Sequence, residues 1–94
     1  MKNYLKILKI NEQVIIPKYR QLADSIIVGI EEGTIQKNDI LPSLHELSTA
    51  LDISKNTVEK AYNSLKIKGV VNSFKGKGYF IESELHFKNE NFNS

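Results

Sequence analysis

Residues 41–65, which read LPSLHELSTALDISKNTVEKAYNSL, constrain the fold of this chain most strongly. Ser43 has the properties of a helix N-cap, and Glu46 three residues later completes a capping box. A turn follows at residues 52–53, and Ser54 then caps another helix. The segment therefore predicts two short amphipathic helices joined by a tight turn. Their apolar positions are Leu44, Leu47 and Leu51 in one helix and Val58, Ala61, Tyr62 and Leu65 in the other.

A further helix is predicted upstream of this pair. Pro17 suits its first helical position, because proline lacks the N–H that this position leaves unbonded. Gly33 is a good stop just past its C-terminus. Gly29 lies inside the helix, where glycine costs about 1 kcal/mol relative to alanine, and close approach of another backbone would explain it. The apolar stripe of this helix comprises Tyr19, Leu22, Ala23, Ile26, Ile27 and Ile30.

A β-hairpin is predicted after the third helix, which Gly69 ends. Two strand-like runs, 70–74 and 79–82, flank the sequence KGKG, in which glycine can supply positive φ. Residues 39–41 form a possible short strand between the first two helices.

These elements predict one α+β domain at residues 16–82. Its expected fold is a winged helix–turn–helix, with three helices and a C-terminal two-stranded β-hairpin as the wing. Residues 1–15 favour an extended N-terminal arm packed on the domain, although the apolar spacing of residues 4–10 also fits one or two helical turns. Residues 83–94 are polar and lack periodicity, which is typical of a tail or of a linker to a separate effector domain.

The charge of the chain is unevenly distributed. Its net charge is only +2, yet residues 54–81 contain six lysines and one acidic residue, so the remainder is net acidic. A basic region on an otherwise acidic protein indicates binding to a polyanion. A solvated lysine-rich surface is the alternative interpretation.

Several classes of site are excluded by residue type. The chain has no cysteine, which rules out disulfides, zinc–thiolate sites and cysteine nucleophiles. His45 and His86 are far apart in sequence and have no metal-ligand spacing. We therefore predict no catalytic residues, no metal site and no cofactor. No apolar run approaches the ~18 residues of a membrane span, and there is no secretory signal, so a cytoplasmic protein is expected.

The third helix carries the strongest candidate binding residues. Asn56, Lys60 and Asn63 lie opposite its apolar stripe. An asparagine can pair with adenine through two hydrogen bonds, and a lysine can donate to guanine or to a phosphate. Ser54 and Thr57 occupy the first turn, where hydroxyls and free N–H groups can anchor a phosphate. Simple capping by Ser54 and ordinary solvation of Asn63 are the alternatives.

Three other positions near these helices need interpretation. His45 lies beside the apolar stripe of the second helix and is either a donor near DNA or an ordinary surface residue. Ser43, at the start of the same helix, is also included among the candidate DNA contacts. Glu59 would repel phosphate. Its favoured role is an intrahelical pair with Lys55, and the alternatives are cytosine readout or a side chain that points away from DNA.

The hairpin tip supplies the remaining candidates, Lys75, Gly76 and Lys77. Two cations separated by glycine can enter or straddle the minor groove of DNA. An ordinary hairpin with solubilising lysines is the alternative.

These segments together resemble the N-terminal DNA-binding domain of GntR-family transcription regulators. The resemblance covers residues 16–81 and rests on IPKYRQLADSIIVGIEEGTI, on LPSLHELSTALDISKNTVEKAYNSLKIKGVV and on FKGKGYFI. It implies a winged helix that binds a palindromic operator as a dimer. It places residues 54–57 at the start of the recognition helix and residues 75–77 on the wing. His45 and Glu59 depart from the family pattern, since many members have arginine at the first position and arginine or another basic residue at the second.

The expected function is therefore that of a DNA-binding domain of a bacterial transcription regulator, and specifically of a repressor. Its expected partners are a double-stranded DNA operator and a second copy of the chain, joined on DNA or through a C-terminal effector domain. A winged helix that serves only as a protein-interaction module is the alternative, and the polar face of Asn56, Lys60 and Asn63 argues against it.

Overall fold

The computed structural model describes residues 8–75 and 78–82. Three helices are followed by a two-stranded antiparallel sheet, which confirms the predicted α+β architecture. The elements are α1 (Lys18–Glu31), α2 (Leu44–Leu51), α3 (Lys55–Ile67), β1 (Val71–Phe74) and β2 (Gly78–Ile81).

Helix α1 begins one residue later than the sequence predicts. Pro17 is its N-cap, with φ −55° and ψ 145°, and is not its first helical residue. The Pro17 carbonyl accepts the N–H groups of Arg20 and Gln21, so the proline still starts the helix. Gly33 follows the C-cap with φ +85°, as expected for a residue that stops a helix.

Gly29 is explained by a neighbouring side chain, where close approach of another backbone was one explanation that the sequence allowed. A Cβ at Gly29 would lie 2.6 Å from Cδ1 and 2.9 Å from Cγ1 of Ile35. The Ile35 side chain is buried, and its N–H donates to the Gly29 carbonyl at 3.0 Å. The loop after α1 therefore folds back onto the helix where the glycine leaves room for it.

The caps of α2 and α3 are those that the sequence predicts. Ser43 Oγ accepts the Glu46 N–H at 3.0 Å, and Glu46 Oε1 accepts the Ser43 N–H at 2.9 Å. Ser54 Oγ accepts the Thr57 N–H at 3.0 Å. Between the two helices Asp52 adopts the left-handed conformation at φ 58° and makes the turn.

The core is centred on α3, which packs against both α1 and α2. Its predicted apolar residues are all buried, and Tyr62 is the largest of them. The Tyr62 hydroxyl donates to the Pro42 carbonyl at 2.8 Å, and its ring contacts that of Tyr79 in β2. Leu8, before α1, is also fully buried in this core.

The hairpin packs on the end of the helical core. Val71 pairs with Ile81, and both side chains are buried. Residues 39–41, predicted as a possible strand, lie along β2 and contribute one isolated bridge between Ile40 and Phe80. This contact attaches the wing to the segment before α2 as well as to α3.

The part of the predicted N-terminal arm that the structure describes is held to α1. The Asn11 N–H donates to Gln21 Oε1 at 2.8 Å, and Glu12 pairs with Lys18 at 3.3 Å. Residues 1–7 of that arm and the predicted tail at 83–94 lie outside the described residues. Among the helices of the described chain, none is long and apolar enough to cross a membrane.

Candidate nucleic-acid interface

The start of α3 is a polar, accessible helix N-terminus. Ser54, Lys55 and Asn56 are exposed, and Thr57 is half-buried. The Ser54 hydroxyl caps the helix and lies 2.8 Å from that of Thr57. The N–H groups of the first turn that the cap does not satisfy face outward and can meet an anion. Ser54 is therefore a structural cap, and its position still allows it to contact a ligand at this end of α3.

The predicted polar face of α3 is present as one exposed strip. Asn56, Lys60 and Asn63 are all exposed, on the side away from the buried residues. Asn56 lines an open groove of about 340 Å³ between the start of α1 and α3. Asn63 lines a second open groove of about 370 Å³ further along α3, and Lys60 lines both.

Lys60 has a neighbour that its sequence position does not reveal. Its ammonium lies 4.4 Å from the centroid of the Tyr19 ring, within the range of a cation–π interaction. Tyr19 was assigned to the apolar stripe of α1, and it does pack against the core with part of its surface. The contact between Tyr19 and Lys60 could not be predicted from the spacing of residues along one helix, because the two residues belong to different helices.

The predicted pair between Lys55 and Glu59 is wrong. Among the described residues, side-chain ion pairs within 4.0 Å join Lys18 to Glu12 and Arg20 to Asp24, and none joins Lys55 to Glu59. Both Lys55 and Glu59 are exposed, so solvation by water competes with a weak pair on the helix surface.

The lysines of α3 and of the segment after it therefore have no ion-pair partner among the described residues. The two ion pairs of the described residues lie on α1 and the segment before it. The lysines between residues 55 and 75 are all exposed and have no carboxylate within 4.0 Å in the described part of the chain; they are Lys55, Lys60, Lys66, Lys68 and Lys75. This surface can attract a polyanion.

Lys66 makes a contact that its position in the sequence does not indicate. Its ammonium donates to Ser73 Oγ at 3.0 Å and so connects the end of α3 to β1.

Lys75 is exposed in the turn that follows β1. Gly76 and Lys77 lie outside the described residues, so of the three predicted wing-tip contacts the structure describes Lys75.

The candidates on α2 lie at its start. Ser43 and His45 are both exposed. In the capping box, the Ser43 N–H donates to the Glu46 carboxylate and the Ser43 hydroxyl oxygen accepts the Glu46 N–H. The His45 carbonyl accepts a hydrogen bond from the Ser48 hydroxyl at 3.0 Å. The His45 residue itself is exposed. The groups left to donate at this helix start are therefore the His45 imidazole and the Ser43 hydroxyl, which the capping box uses only as an acceptor.

The sequence of the domain matches a known family. The family model of the bacterial regulatory proteins, gntR family, matches residues 18–81, which run from the start of α1 to the end of β2.

Individual relatives and solved structures are similar to this chain. The HTH-type transcriptional repressor YtrA of Bacillus subtilis (strain 168) is 34% identical over 65 residues, 69% of this chain and 50% of that protein. YtrA from Sulfolobus acidocaldarius, a GntR-family transcription factor, has a TM-score of 0.79 and 38% identity over 88% of this chain and 86% of that one. AraR(DBD) in complex with operator ORX1 has a TM-score of 0.71 and 29% identity, over 79% and 95% of the two chains.

The match covers only part of most full-length relatives. The chain spans between 27% and 61% of the length of three curated relatives, all from Bacillus subtilis (strain 168). The similarity to these regulators therefore concerns the helical domain and its hairpin.

Proposed function

Because this chain belongs to the gntR family of bacterial regulatory proteins, we propose that it binds double-stranded operator DNA in a sequence-specific manner. The observation that carries the proposal is the exposed strip of Asn56, Lys60 and Asn63 on α3. The amides and the ammonium lie on one side of a helix whose opposite side is fully buried. That arrangement suits a helix that lies in the major groove.

The residues of the interface divide by chemistry into two groups. The Asn56 and Asn63 amides can pair with adenine, and Lys60 can donate to guanine or phosphate. Contacts to phosphates position the protein without reading the sequence. The residues proposed for that positioning role are Ser43, His45, Ser54, Lys55 and Thr57 at the helix starts and Lys75, Gly76 and Lys77 on the wing.

The similarity of the fold to AraR(DBD), which was solved with an operator, supports this docking. In the proposed complex α3 enters the major groove, and the wing lies over the neighbouring backbone or minor groove. The operator is proposed to be palindromic and to bind two copies of the chain. Regulation by repression is proposed from relatives such as the repressor YtrA. A bacterial operator as target implies a protein that works in the cytoplasm.

Selection of bound sequences from a random duplex pool tests the proposal directly. We expect enrichment of a palindrome whose half-sites are separated by about one helical turn or a multiple of it. Recovery of sequences without any shared motif would contradict sequence-specific binding and would favour non-specific attraction by the lysines.

The salt dependence of binding provides a second test. If about four lysines per copy meet phosphates, the log–log slope for two copies should be roughly −7, from about −0.9 per neutralised phosphate. The measurement is a titration of the selected duplex at several salt concentrations. A protein-interaction module would bind no duplex or show a flat response.

A further inference from the structure

The contact between Lys60 and Tyr19 joins the proposed recognition helix to the first turn of α1. The ammonium lies 4.4 Å from the ring centroid. Tyr19 is half-buried and packs against the core, so its ring has a defined position. A lysine normally samples many rotamers. Here the electron-rich face of the ring favours those that bring the ammonium over it.

The ring holds this charge without neutralising it. A carboxylate partner would offset part of that charge, and in the α1 region Glu12 lies 3.3 Å from Lys18 and Asp24 lies 3.9 Å from Arg20. In the described part of the chain Lys60 has no carboxylate within 4.0 Å, although Glu59 precedes it in the sequence. Lys60 therefore remains available to attract an anion.

Tyr19 and Lys60 lie within the proposed DNA interface. Tyr19 and Lys60 both line the groove of about 340 Å³ that Asn56 and Thr57 also line. They line the second groove as well, on the side towards Asn63. The held ammonium thus lies between the two amides of the exposed strip of α3.

We propose that Tyr19 is a positioning residue for DNA binding, and that its ring holds the Lys60 ammonium where a backbone phosphate of the operator meets it. A side chain already restrained in the free protein loses less conformational freedom on binding. The inference rests on the proposed function, since it assigns α1 a part in the DNA contact made by α3.

A double-mutant cycle on the full chain tests whether Tyr19 acts through Lys60. Tyr19→Leu keeps an apolar side chain but removes the ring, and it should weaken binding to the selected duplex by roughly threefold to tenfold. Tyr19→Phe keeps the ring and should bind within about twofold of the unmodified chain. In the Lys60→Met background, Tyr19→Leu should weaken binding by less than about twofold, because the charge it positions is gone.

The outcomes separate this inference from the proposed function. If the unmodified chain binds but Tyr19→Leu weakens binding equally in both backgrounds, the ring has only a structural role and the inference is overturned. The same conclusion follows if Tyr19→Phe fails to rescue or if Tyr19→Leu has no effect. If the unmodified chain itself binds no duplex, the proposed function fails, and the inference with it.

A measurement on the unmodified chain keeps the inference testable if Tyr19→Leu does not fold. The ε-methylene protons of Lys60 should resonate upfield of those of the exposed Lys75, because they lie in the shielding region above the Tyr19 ring. Equal chemical shifts for the two lysines, with and without duplex, would overturn the inference.

Discussion

Asn56 is the amide nearest to the start of α3, and its exposed side chain shares a groove with Thr57 and Lys60. Because an asparagine pairs with adenine through two hydrogen bonds, Asn56→Ala should cost about 1–3 kcal/mol on the preferred duplex. It should also relax the preference at a single base pair. The control is Lys75→Ala, which removes a charge from the hairpin and should weaken all duplexes evenly. Selection with each variant measures both effects, and an unchanged preference for Asn56→Ala would mean that α3 docks differently.

Ser54 combines a structural role with a proposed contact, and two substitutions separate them. Ser54→Ala removes the side-chain acceptor of the Thr57 N–H, leaves the Ser54 carbonyl as its acceptor, and should lower the free energy of unfolding by about 1 kcal/mol. Ser54→Asp restores a cap and should keep the stability, but its negative charge should weaken DNA binding through repulsion of phosphate. Urea unfolding and duplex titration measure the two properties. If Ser54→Asp binds as tightly as the unmodified chain, the start of α3 does not face a phosphate.

At the scale of elements, the packing of α1 against the following loop depends on Gly29. Gly29→Ala would improve helix propensity by about 1 kcal/mol. Its Cβ would, however, meet the buried Ile35 side chain at 2.6 Å, and overpacking costs about 1–3 kcal/mol. We expect a net loss of about 1 kcal/mol in urea unfolding. Ile35→Val removes the Cδ1 atom but keeps Cγ1, which would lie 2.9 Å from the new Cβ, so it should recover only part of this loss when combined with Gly29→Ala. A more stable Gly29→Ala variant would show that the loop moves away freely.

At the scale of the whole molecule, the buried apolar residues form one cluster within a single copy of the chain. No second copy is needed to complete that core, so we predict a monomer in free solution at micromolar concentration. Two copies should bind a palindromic duplex cooperatively, because a two-fold operator presents matched half-sites. Analytical ultracentrifugation with and without the duplex measures both states. A stable dimer in the absence of DNA would contradict the prediction.

The same monomer should bind a single half-site weakly. A dimerising segment fused after Ser94 should tighten binding to the palindrome by about 10²–10⁴, through effective concentration alone. The matched control is a duplex with one half-site, for which the fusion should give little gain. Equal gains on both duplexes would show that the fused segment contacts DNA itself.

Signals within a few residues were enough to predict the three helices, the N-caps of α2 and α3 and the hairpin. Ser43, Ser54 and Gly33 have the predicted roles because a cap or a helix stop is completed by groups three or four residues away. The buried residues of α3 were equally predictable, since their spacing places them on one side of any helix. The candidate strip of Asn56, Lys60 and Asn63 follows from the same periodicity.

The sequence by itself thus determined the elements, their buried sides and the polar strip that α3 exposes. The tertiary structure alone decided that Gly29 makes room for Ile35, that Lys60 lies over Tyr19 and that Lys66 reaches Ser73. It also left Glu59 without the predicted partner. The physical reason is that each of these outcomes depends on which side chains packing brings together and on competition with water, and neither is encoded in the spacing along one helix.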